Sequence, residues 1–269
     1  MPMIINTNLN SMMAQRNLAT NQSSLSTSMQ RLSSGLRVNN AADDAAGLAI
    51  ATRMDAQVRG ITVAMRNAND GISLAQTAEG ATATSIDVLQ RMRELAVQSL
   101  NGSNSSGDRL NLDAEFKQLS GEIDRISTAT KFNGSSIVSV ASAGAQVFQV
   151  GANSGDTLTV TTIGISAVGG AITDTTTAGA ALTAIDSAID TLTTARANYG
   201  AVINRLGFAI SNLAISGENQ SAAKGRIMDA DFAMETANLS RAQILQQAGN
   251  AMVAQANQLP QQVMALLRN

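Results

Sequence analysis

The side chains that most often carry enzymatic chemistry are missing from this chain. Its 269 residues include no histidine and no cysteine. The sequence therefore offers no imidazole base, no thiolate nucleophile and neither of the two commonest zinc ligands. We expect no enzymatic activity, no cofactor and no metal site, so residues of other types must carry the function.

Two aspartate pairs come closest to a catalytic or metal-binding arrangement. Asp43 and Asp44 are adjacent, and neighbouring residues on a helix point to different faces. Acidic side chains favour the positive end of a helix dipole, so we interpret this pair as a helix start. Asp229 and Asp231 lack the later ligands of a calcium loop, and we interpret them as turn or capping residues.

The charged residues are distributed unevenly. All 20 acidic residues lie between Asp43 and Glu235, which leaves two amide-rich ends of low charge. Such ends favour packing on each other or on other copies of the chain. The arginines in these ends have no acidic neighbours in the sequence: Arg16, Arg31, Arg37, Arg241 and Arg268.

Composition also limits the partners and the compartment. A net charge of -2 and 2% aromatic residues argue against nucleic acid as a partner. No charged residue precedes Arg16 and no continuous apolar core follows, so the N-terminus is unlike a Sec signal peptide. No apolar run approaches the roughly 18 residues that span a bilayer. We expect no membrane insertion, and either a cytosolic protein or one exported without a cleaved signal.

Apolar residues at heptad-like spacing predict a helix at each end. Their stripes are narrow, as in helices that pack on other helices. A pair of helices with so few charges leaves apolar surface exposed, so we expect other copies to cover it; the alternative is packing within one chain. The predicted packing residues are Leu18, Leu25, Met29, Leu32, Leu36, Leu245, Met252, Ala256, Leu259, Val263 and Leu266.

Longer heptad tracts predict a helical rod between the ends. No proline occurs from Asp44 to Leu100, which allows one helix of about 57 residues, roughly 85 Å long. A turn at 101–108 and a shorter helix follow, and a further tract runs from Leu182 to Leu213 with one break at Arg196. Glu79 and Thr82 interrupt the first tract. The predicted seam residues are Ile61, Met65, Ile72, Ile86, Leu89, Ile185, Ile189, Leu192, Ile203, Leu206 and Ile210.

Residues 138–180 differ from the helical tracts. They are rich in Gly, Ala, Ser and Thr, and 146–150 and 157–163 have strand composition on either side of turn residues. This pattern predicts a β-hairpin. We expect the rest of the segment to be a loop with little core of its own.

These elements predict a mainly α fold. It consists of a long antiparallel helical coiled-coil rod with a small β-hairpin region, and of terminal helices that form a separate two-helix inner domain. The predicted inner domain comprises 1–43 and 236–269. The predicted rod comprises 44–180, with the hairpin region at 138–180, and 181–235.

Several long motifs resemble those of bacterial flagellin. They are LSSGLRVNNAADDAAGLAI at 32–50, LQRMRELAVQS at 89–99, EIDRISTATKFNG at 122–134 and QILQQAGNAMVAQANQLPQQVMALL at 243–267. The similarity covers about residues 1–135 and 182–268. FQVGANSGDTLTV at 148–160 also resembles the hairpin region of the flagellin rod domain. Only about 40 residues separate the two similar regions, so the chain resembles a minimal flagellin without large outer domains.

The resemblance implies a structural subunit that polymerises with itself into the extracellular flagellar filament used for swimming. The terminal helices would form the filament core and the rod domains the surrounding tube. Subunits of this family leave the cell unfolded through the flagellar type III export apparatus, escorted by a chaperone. The other implied partners are the hook-associated junction proteins and the cap protein.

The resemblance also implies recognition of the monomer by the animal innate receptor Toll-like receptor 5. Gln90, Arg91, Leu95 and Glu115 match the flagellin positions that this receptor engages. The alternative is an ordinary solvated helix face.

Three other functions were weighed. A hook-filament junction protein shares terminal helices with flagellin, but the dense motifs at 89–134 and 243–267 argue against it. Some flagellins carry a zinc-protease domain, which needs His-Glu-x-x-His, and this chain has no histidine. A cytosolic helical adaptor would form no filament and would not be exported.

Overall fold

The computed structural model describes residues 7–267, with side chains described up to residue 258. In chain order the elements are α1 (Leu9–Ser34), α2 (Ala45–Leu100), α3 (Ser106–Ala129), β1 (Lys131–Phe132), β2 (Ser135–Ser136), β3 (Ala145–Gln149), β4 (Thr157–Thr161), α4 (Thr175–Met228) and α5 (Phe232–Leu267). The predicted mainly α fold class is confirmed.

The chain forms two compact units. The terminal unit contains the residues up to Ala56 and those from Asn219 onward, and the central unit contains Gln57–Glu218. These limits fall inside α2 and α4, whereas the predicted domain limits lie close to helix ends. The predicted domain division stays a prediction.

The long helix predicted from the absence of proline is present, and α2 spans 56 residues. Asp44 starts it, because its carboxylate accepts a hydrogen bond from the Gly47 N–H at 2.8 Å. The Asp43 carboxylate accepts from the backbone N–H groups of Asn40 and Asn39, and these bonds lower the pKa of Asp43. The interpretation as a helix start is confirmed for Asp44, whereas Asp43 bonds to the turn that precedes the helix.

Asp231 has the corresponding role at the start of α5. Its carboxylate accepts hydrogen bonds from the N–H groups of Ala233 and Met234 at 2.9 and 3.2 Å. These N–H groups have no partner within the helix, so the bonds stabilise its first turn. The interpretation of Asp231 as a capping residue is confirmed.

The central unit has one core, formed by α2, α3, α4 and the segments between α3 and α4. Phe116 of α3 and Tyr199 of α4 are its largest fully buried side chains. Among the predicted seam residues, Ile61, Ile86, Leu89, Ile185, Leu192 and Leu206 are buried, and Met65, Ile72, Ile189, Ile203 and Ile210 are half-buried. The helix faces with heptad spacing are therefore the faces that pack.

The polar residues that interrupt the heptads all have hydrogen-bond partners. Arg196 of α4 forms an ion pair with Glu79 of α2, with a distance of 2.8 Å between Nη2 and Oε1. Thr82 is buried, and its hydroxyl donates to the carbonyl of Ala78. Nearby, the Tyr199 hydroxyl accepts from the Ile163 N–H at 3.0 Å, and burial raises the pKa of Tyr199. These pairings allow polar groups to lie within the apolar seam.

The predicted hairpin is confirmed. β3 and β4 are antiparallel, with Ala145 opposite Thr161 and Gln149 opposite Thr157. A second, shorter hairpin joins β1 to β2 through Asn133 and Gly134, both of which have positive φ. The sequence analysis missed it, although Asn-Gly is the usual sequence of such a turn.

The rest of the middle segment has no separate core, but it contributes to the core of the central unit. Val138, Ile165, Val168 and Ile172 are buried there. The buried carboxylate of Asp113 accepts from the Ile172 N–H at 2.8 Å and so fastens the segment to α3. Ile165, Val168 and Ile172 have the spacing of a helix face, yet residues 166–172 form no helix.

Replacing Ser105 with alanine is expected to destabilise the chain by about 1 kcal/mol, because Ser105 caps α3. Its hydroxyl accepts from the Asp108 N–H, and the Asp108 carboxylate accepts from the Ser105 N–H, which forms a complete capping box. The Ser105 hydroxyl also donates to the Asp108 carboxylate at 2.7 Å, and this bond, together with the bond from the Ser105 N–H, lowers the pKa of Asp108. Urea unfolding measures the change, with Ser106→Ala as the control one residue further on. Equal stability of the two variants would contradict the assignment of the cap.

Candidate functional site

The candidate assembly surface lies on the terminal unit, where α1 and α5 pack side by side. The helices are antiparallel, so the beginning of α1 meets the later part of α5. Asn8 donates to the Ala256 carbonyl at 2.8 Å and Asn21 donates to the Ala242 carbonyl at 2.9 Å. The amides of Gln246 and Gln22 also bond at 2.6 Å. The amide-rich character of the two ends therefore serves the contact between them.

The apolar interior of this helix pair is small. Of the predicted packing residues, Leu25 and Ala256 are buried, and Leu18, Leu32 and Leu36 are half-buried. Gly249 of α5 lies so close to Leu18 that a Cβ at Gly249 would be 3.1 Å from Leu18 Cδ1. Leu259, Val263 and Leu266 lie outside the residues whose side chains are described.

The remaining predicted packing residues face outward. Met29, Leu245 and Met252 are 57%, 51% and 59% exposed. Other large apolar side chains of the unit are also exposed: Leu9, Met12, Met13, Phe232, Met234 and Ile244. Large apolar side chains exposed on a surface are typical of interaction sites, so the terminal unit is a candidate assembly surface.

Part of this surface is a groove of about 660 Å³ between α1 and α5. Met13 and Leu18 line it from α1, and Leu245 and Met252 line it from α5. The sequence analysis missed Met13, which lies outside the leucine register. Three amides of α1 also line the groove: Asn10, Asn17 and Asn21. Their spacing marks this side of the helix in the sequence and could have indicated that Met13 lies on it.

The segment that follows α1 forms hydrogen bonds with the segment that joins α4 to α5. The Arg37 N–H donates to the Met228 carbonyl at 2.6 Å, and the Ala230 N–H donates to the Gly35 carbonyl at 2.9 Å. Gly35 ends α1 with φ of 71°, a conformation that favours glycine. The Arg37 guanidinium donates to the Ile227 carbonyl at 2.7 Å, near the negative end of α4. Arg37, which has no acidic neighbour in the sequence, thus bonds to a backbone carbonyl instead.

The predicted receptor residues lie on α2 and α3 of the central unit. Arg91 forms ion pairs with Glu115 and Glu94, with nitrogen–oxygen distances of 2.8 and 2.9 Å. Gln90 is exposed beside them. Leu95 differs, because it is 1% exposed and belongs to the core. In this conformation Leu95 packs in the core beneath Gln90 and Arg91 and presents no surface to a partner.

The described residues form neither a membrane span nor a metal site. Between residues 7 and 267, no helix is both long enough and apolar enough to cross a membrane. Within the same part of the chain, no three acidic side chains come together in a way that would hold a metal ion.

Two family models match the chain. The bacterial flagellin N-terminal helical region matches residues 5–143, and the bacterial flagellin C-terminal helical region matches residues 182–267. These regions contain α1, α2, α3 and most of α4 and α5.

Similar proteins agree with these matches. The flagellin of Halalkalibacterium halodurans is 48% identical, and the alignment covers 99% of this chain and 100% of that protein. The flagellin of Bacillus subtilis is 41% identical over 99% of this chain and 100% of its own length. The crystal structure of Bacillus cereus flagellin is 34% identical, covers 55% of this chain and 88% of its own chain, and has a TM-score of 0.51.

The matches at both ends, the relatives aligned along their full length and the short segment between the matched regions agree with one another. The chain therefore belongs to the bacterial flagellin family of structural filament subunits, and it has the length of a minimal member without large outer domains.

Proposed function

We propose that the terminal unit polymerises the chain into an extracellular flagellar filament used for swimming. The observation that carries this proposal is the apolar surface of the α1 and α5 pair, which one copy leaves uncovered. Burial of apolar area contributes about 25 cal/mol per Å², so covering this surface with other copies favours assembly.

The apolar surface of the terminal unit is compatible with a helical polymer. A contact between two different patches on identical subunits repeats without limit when its rotation does not close a ring. The groove lined by Met13 and Met252 and the exposed side chains of Phe232, Met234 and Ile244 are distinct apolar patches of one unit. One patch of each copy can therefore contact a different patch of the next.

The proposal includes the partners that a filament subunit of this family needs. They are an export chaperone, the type III export apparatus, and the hook-associated junction and cap proteins. The absence of cysteine supports export in an unfolded state, because no disulfide has to be broken. A junction protein is the alternative function, and unlimited polymerisation with high copy number distinguishes a filament subunit from it.

Electron microscopy of the purified protein tests the filament proposal. Filaments are dissociated by heat, the monomer is mixed with short seeds, and growth is followed with time. We expect long filaments of the purified chain alone. Monomer that never extends the seeds, or short assemblies of fixed size, would contradict the proposal.

We also propose that the face formed by Gln90, Arg91 and Glu115 binds Toll-like receptor 5 when the subunit is monomeric. These side chains are exposed and held together by the Arg91–Glu115 ion pair, so they form an ordered polar patch. Leu95 contributes by fixing the helix beneath this patch.

Arg91→Ala is expected to lower receptor activation by the monomer at least about fivefold, because arginines at interface centres often contribute more than 1 kcal/mol. Reporter cells that carry the receptor measure the concentration for half-maximal response. Arg125→Ala is the matched control, since Arg125 is also an exposed arginine paired with a glutamate on the same pair of helices. The receptor proposal fails if wild-type monomer is inactive or if both variants respond alike.

A further inference from the structure

Glu235 is a buried residue whose carboxylate bonds to no other described residue. It lies in the first turn of α5 and is only 7% exposed as a whole. Its carboxylate forms no hydrogen bond or ion pair with any described residue. It lines a cavity, where a group that enters can donate a hydrogen bond to it.

Arg31 of α1 is a hydrogen-bond donor that also lacks a partner. It is half-buried, its Nε is buried without an acceptor, and its guanidinium has no ion-pair partner among the described residues. Glu235 and Arg31 line the same pocket, which has a volume of about 420 Å³. The pocket thus contains a free acceptor from α5 and a free donor from α1.

Two of the four hydroxyl groups that line the pocket have partners on their own helix. Ser24 and Thr27 donate to carbonyls of α1 at 3.2 and 3.1 Å. Arg241 donates to the Asn238 side chain at 3.0 Å. Glu235 and Arg31 are therefore the charged groups of the pocket that an occupant can pair with.

Asn21 and Leu245 line both this pocket and the apolar groove, so the two cavities are adjacent on one surface. An occupant that belongs to a copy packed against the groove can therefore reach the pocket as well. This continuity favours a second copy of the chain over a free small molecule.

We propose that this pocket receives the carboxamide of an asparagine or glutamine from a second copy of the chain, and this inference rests on the proposed function. A carboxamide donates through its NH₂ group and accepts through its oxygen, so a single group can bond to Glu235 and Arg31 together. A guanidinium in the pocket would face Arg31, and a carboxylate would face Glu235, with repulsion in either case.

The terminal helices can supply such a group. Gln15, Asn17, Gln30, Gln247 and Asn250 are exposed amides on α1 and α5. Beyond Glu235 and before Asp43 there is no acidic side chain that could compete for Arg31. Apolar contacts in the groove favour association but do not fix how the two copies are aligned. An amide that bonds to both Glu235 and Arg31 fixes that alignment.

Seeded growth at a series of monomer concentrations tests the inference. Glu235→Met and Arg31→Met each remove one partner of the amide and keep a side chain of similar reach. We expect each variant to raise the critical monomer concentration about tenfold or more, and the double variant to cost little more than either single one. Thr27→Val is the matched control in the same pocket, since the Thr27 hydroxyl bonds to its own helix, and it is expected to polymerise like wild type.

The monomer melting curve distinguishes a role between copies from one within a chain. We expect Glu235→Met to melt at or above the wild-type temperature, because the Glu235 carboxylate has no partner among the described residues to lose. Wild-type critical concentration in this variant, or a loss of monomer stability that accounts for the whole effect, would overturn the inference.

A high-resolution electron microscopy map of the wild-type polymer identifies the occupant. An Asn or Gln side chain of a neighbouring copy in the pocket supports the proposal, whereas water or a charged side chain there overturns it. If wild-type monomer fails to extend seeds, the proposed function itself fails, which is a different result from selective failure of the pocket variants.

Discussion

A chain that lacks residues 237–269 is expected to lose filament assembly completely and to remain a soluble, folded monomer. The deletion removes most of α5 and with it one wall of the apolar groove, including Leu245 and Met252. The central unit keeps its own core, because that core is formed by residues between 57 and 218. Deleting residues 1–36 removes the opposite wall and is expected to have the same result.

Two measurements follow the outcome. Seeded growth under the electron microscope reports polymerisation, and circular dichroism reports the helices of the central unit. Normal filaments from either truncated chain would show that the terminal helix pair is not the assembly surface.

Point variants in the groove give a matched comparison in the full-length chain. Met252→Lys places a charge on the apolar surface, whereas Met252→Leu keeps its volume and hydrophobicity. We therefore expect the lysine variant to polymerise far less than the leucine variant. Because Met252 is 59% exposed, neither change is expected to alter the monomer stability by more than about 0.5 kcal/mol.

Replacing Phe116 with alanine is expected to destabilise the central unit by about 3–5 kcal/mol. Phe116 is 0% exposed and belongs to the core that joins α2, α3 and α4. Removing its ring loses the transfer free energy of the buried atoms and leaves a cavity that the neighbouring helices fill only in part.

Phe208→Ala is the matched control, since Phe208 also lies on a helix of the central unit but is 76% exposed. Its replacement is expected to change stability by no more than about 0.5 kcal/mol. Guanidinium unfolding of the monomer measures both variants, and equal m-values show that the same surface is exposed on unfolding. Similar midpoints for the two variants would contradict the core assignment.

The terminal and central units bury their heptad faces to different degrees. In the central unit, every predicted seam residue is buried or half-buried. In the terminal unit, several predicted packing residues are more than half exposed, although their spacing is the same. A third helix and a covering segment complete the core of the central unit, whereas in the described part of the terminal unit α1 and α5 pack mainly on each other. Other copies of the chain can supply the missing cover, as the proposed assembly requires.

Local patterns in the sequence were enough to predict most of the elements. The absence of proline up to Leu100 predicted α2, and the strand composition around 151–156 predicted the hairpin. Asp44 and Asp231 were correctly interpreted as helix starts. Spacing, capping and turn preferences depend on residues that are close in the sequence, so they can be recognised in a single sequence. The long motifs at both ends likewise pointed to the family that the comparisons then established.

Tertiary structure decided which distant groups meet. Glu79 and Arg196 each interrupt a heptad tract, and only the packing of α2 on α4 makes them an ion pair. Leu95 follows the exposed Arg91 by four residues, yet the position of α2 in the bundle buries it. Val138 and Ile172 enter the core from segments that are neither helix nor strand. The pocket of Glu235 and Arg31 exists only because residues about 200 positions apart line one cavity. Periodicity records which face of a helix is apolar, but which faces meet depends on long-range packing that short-range spacing does not encode.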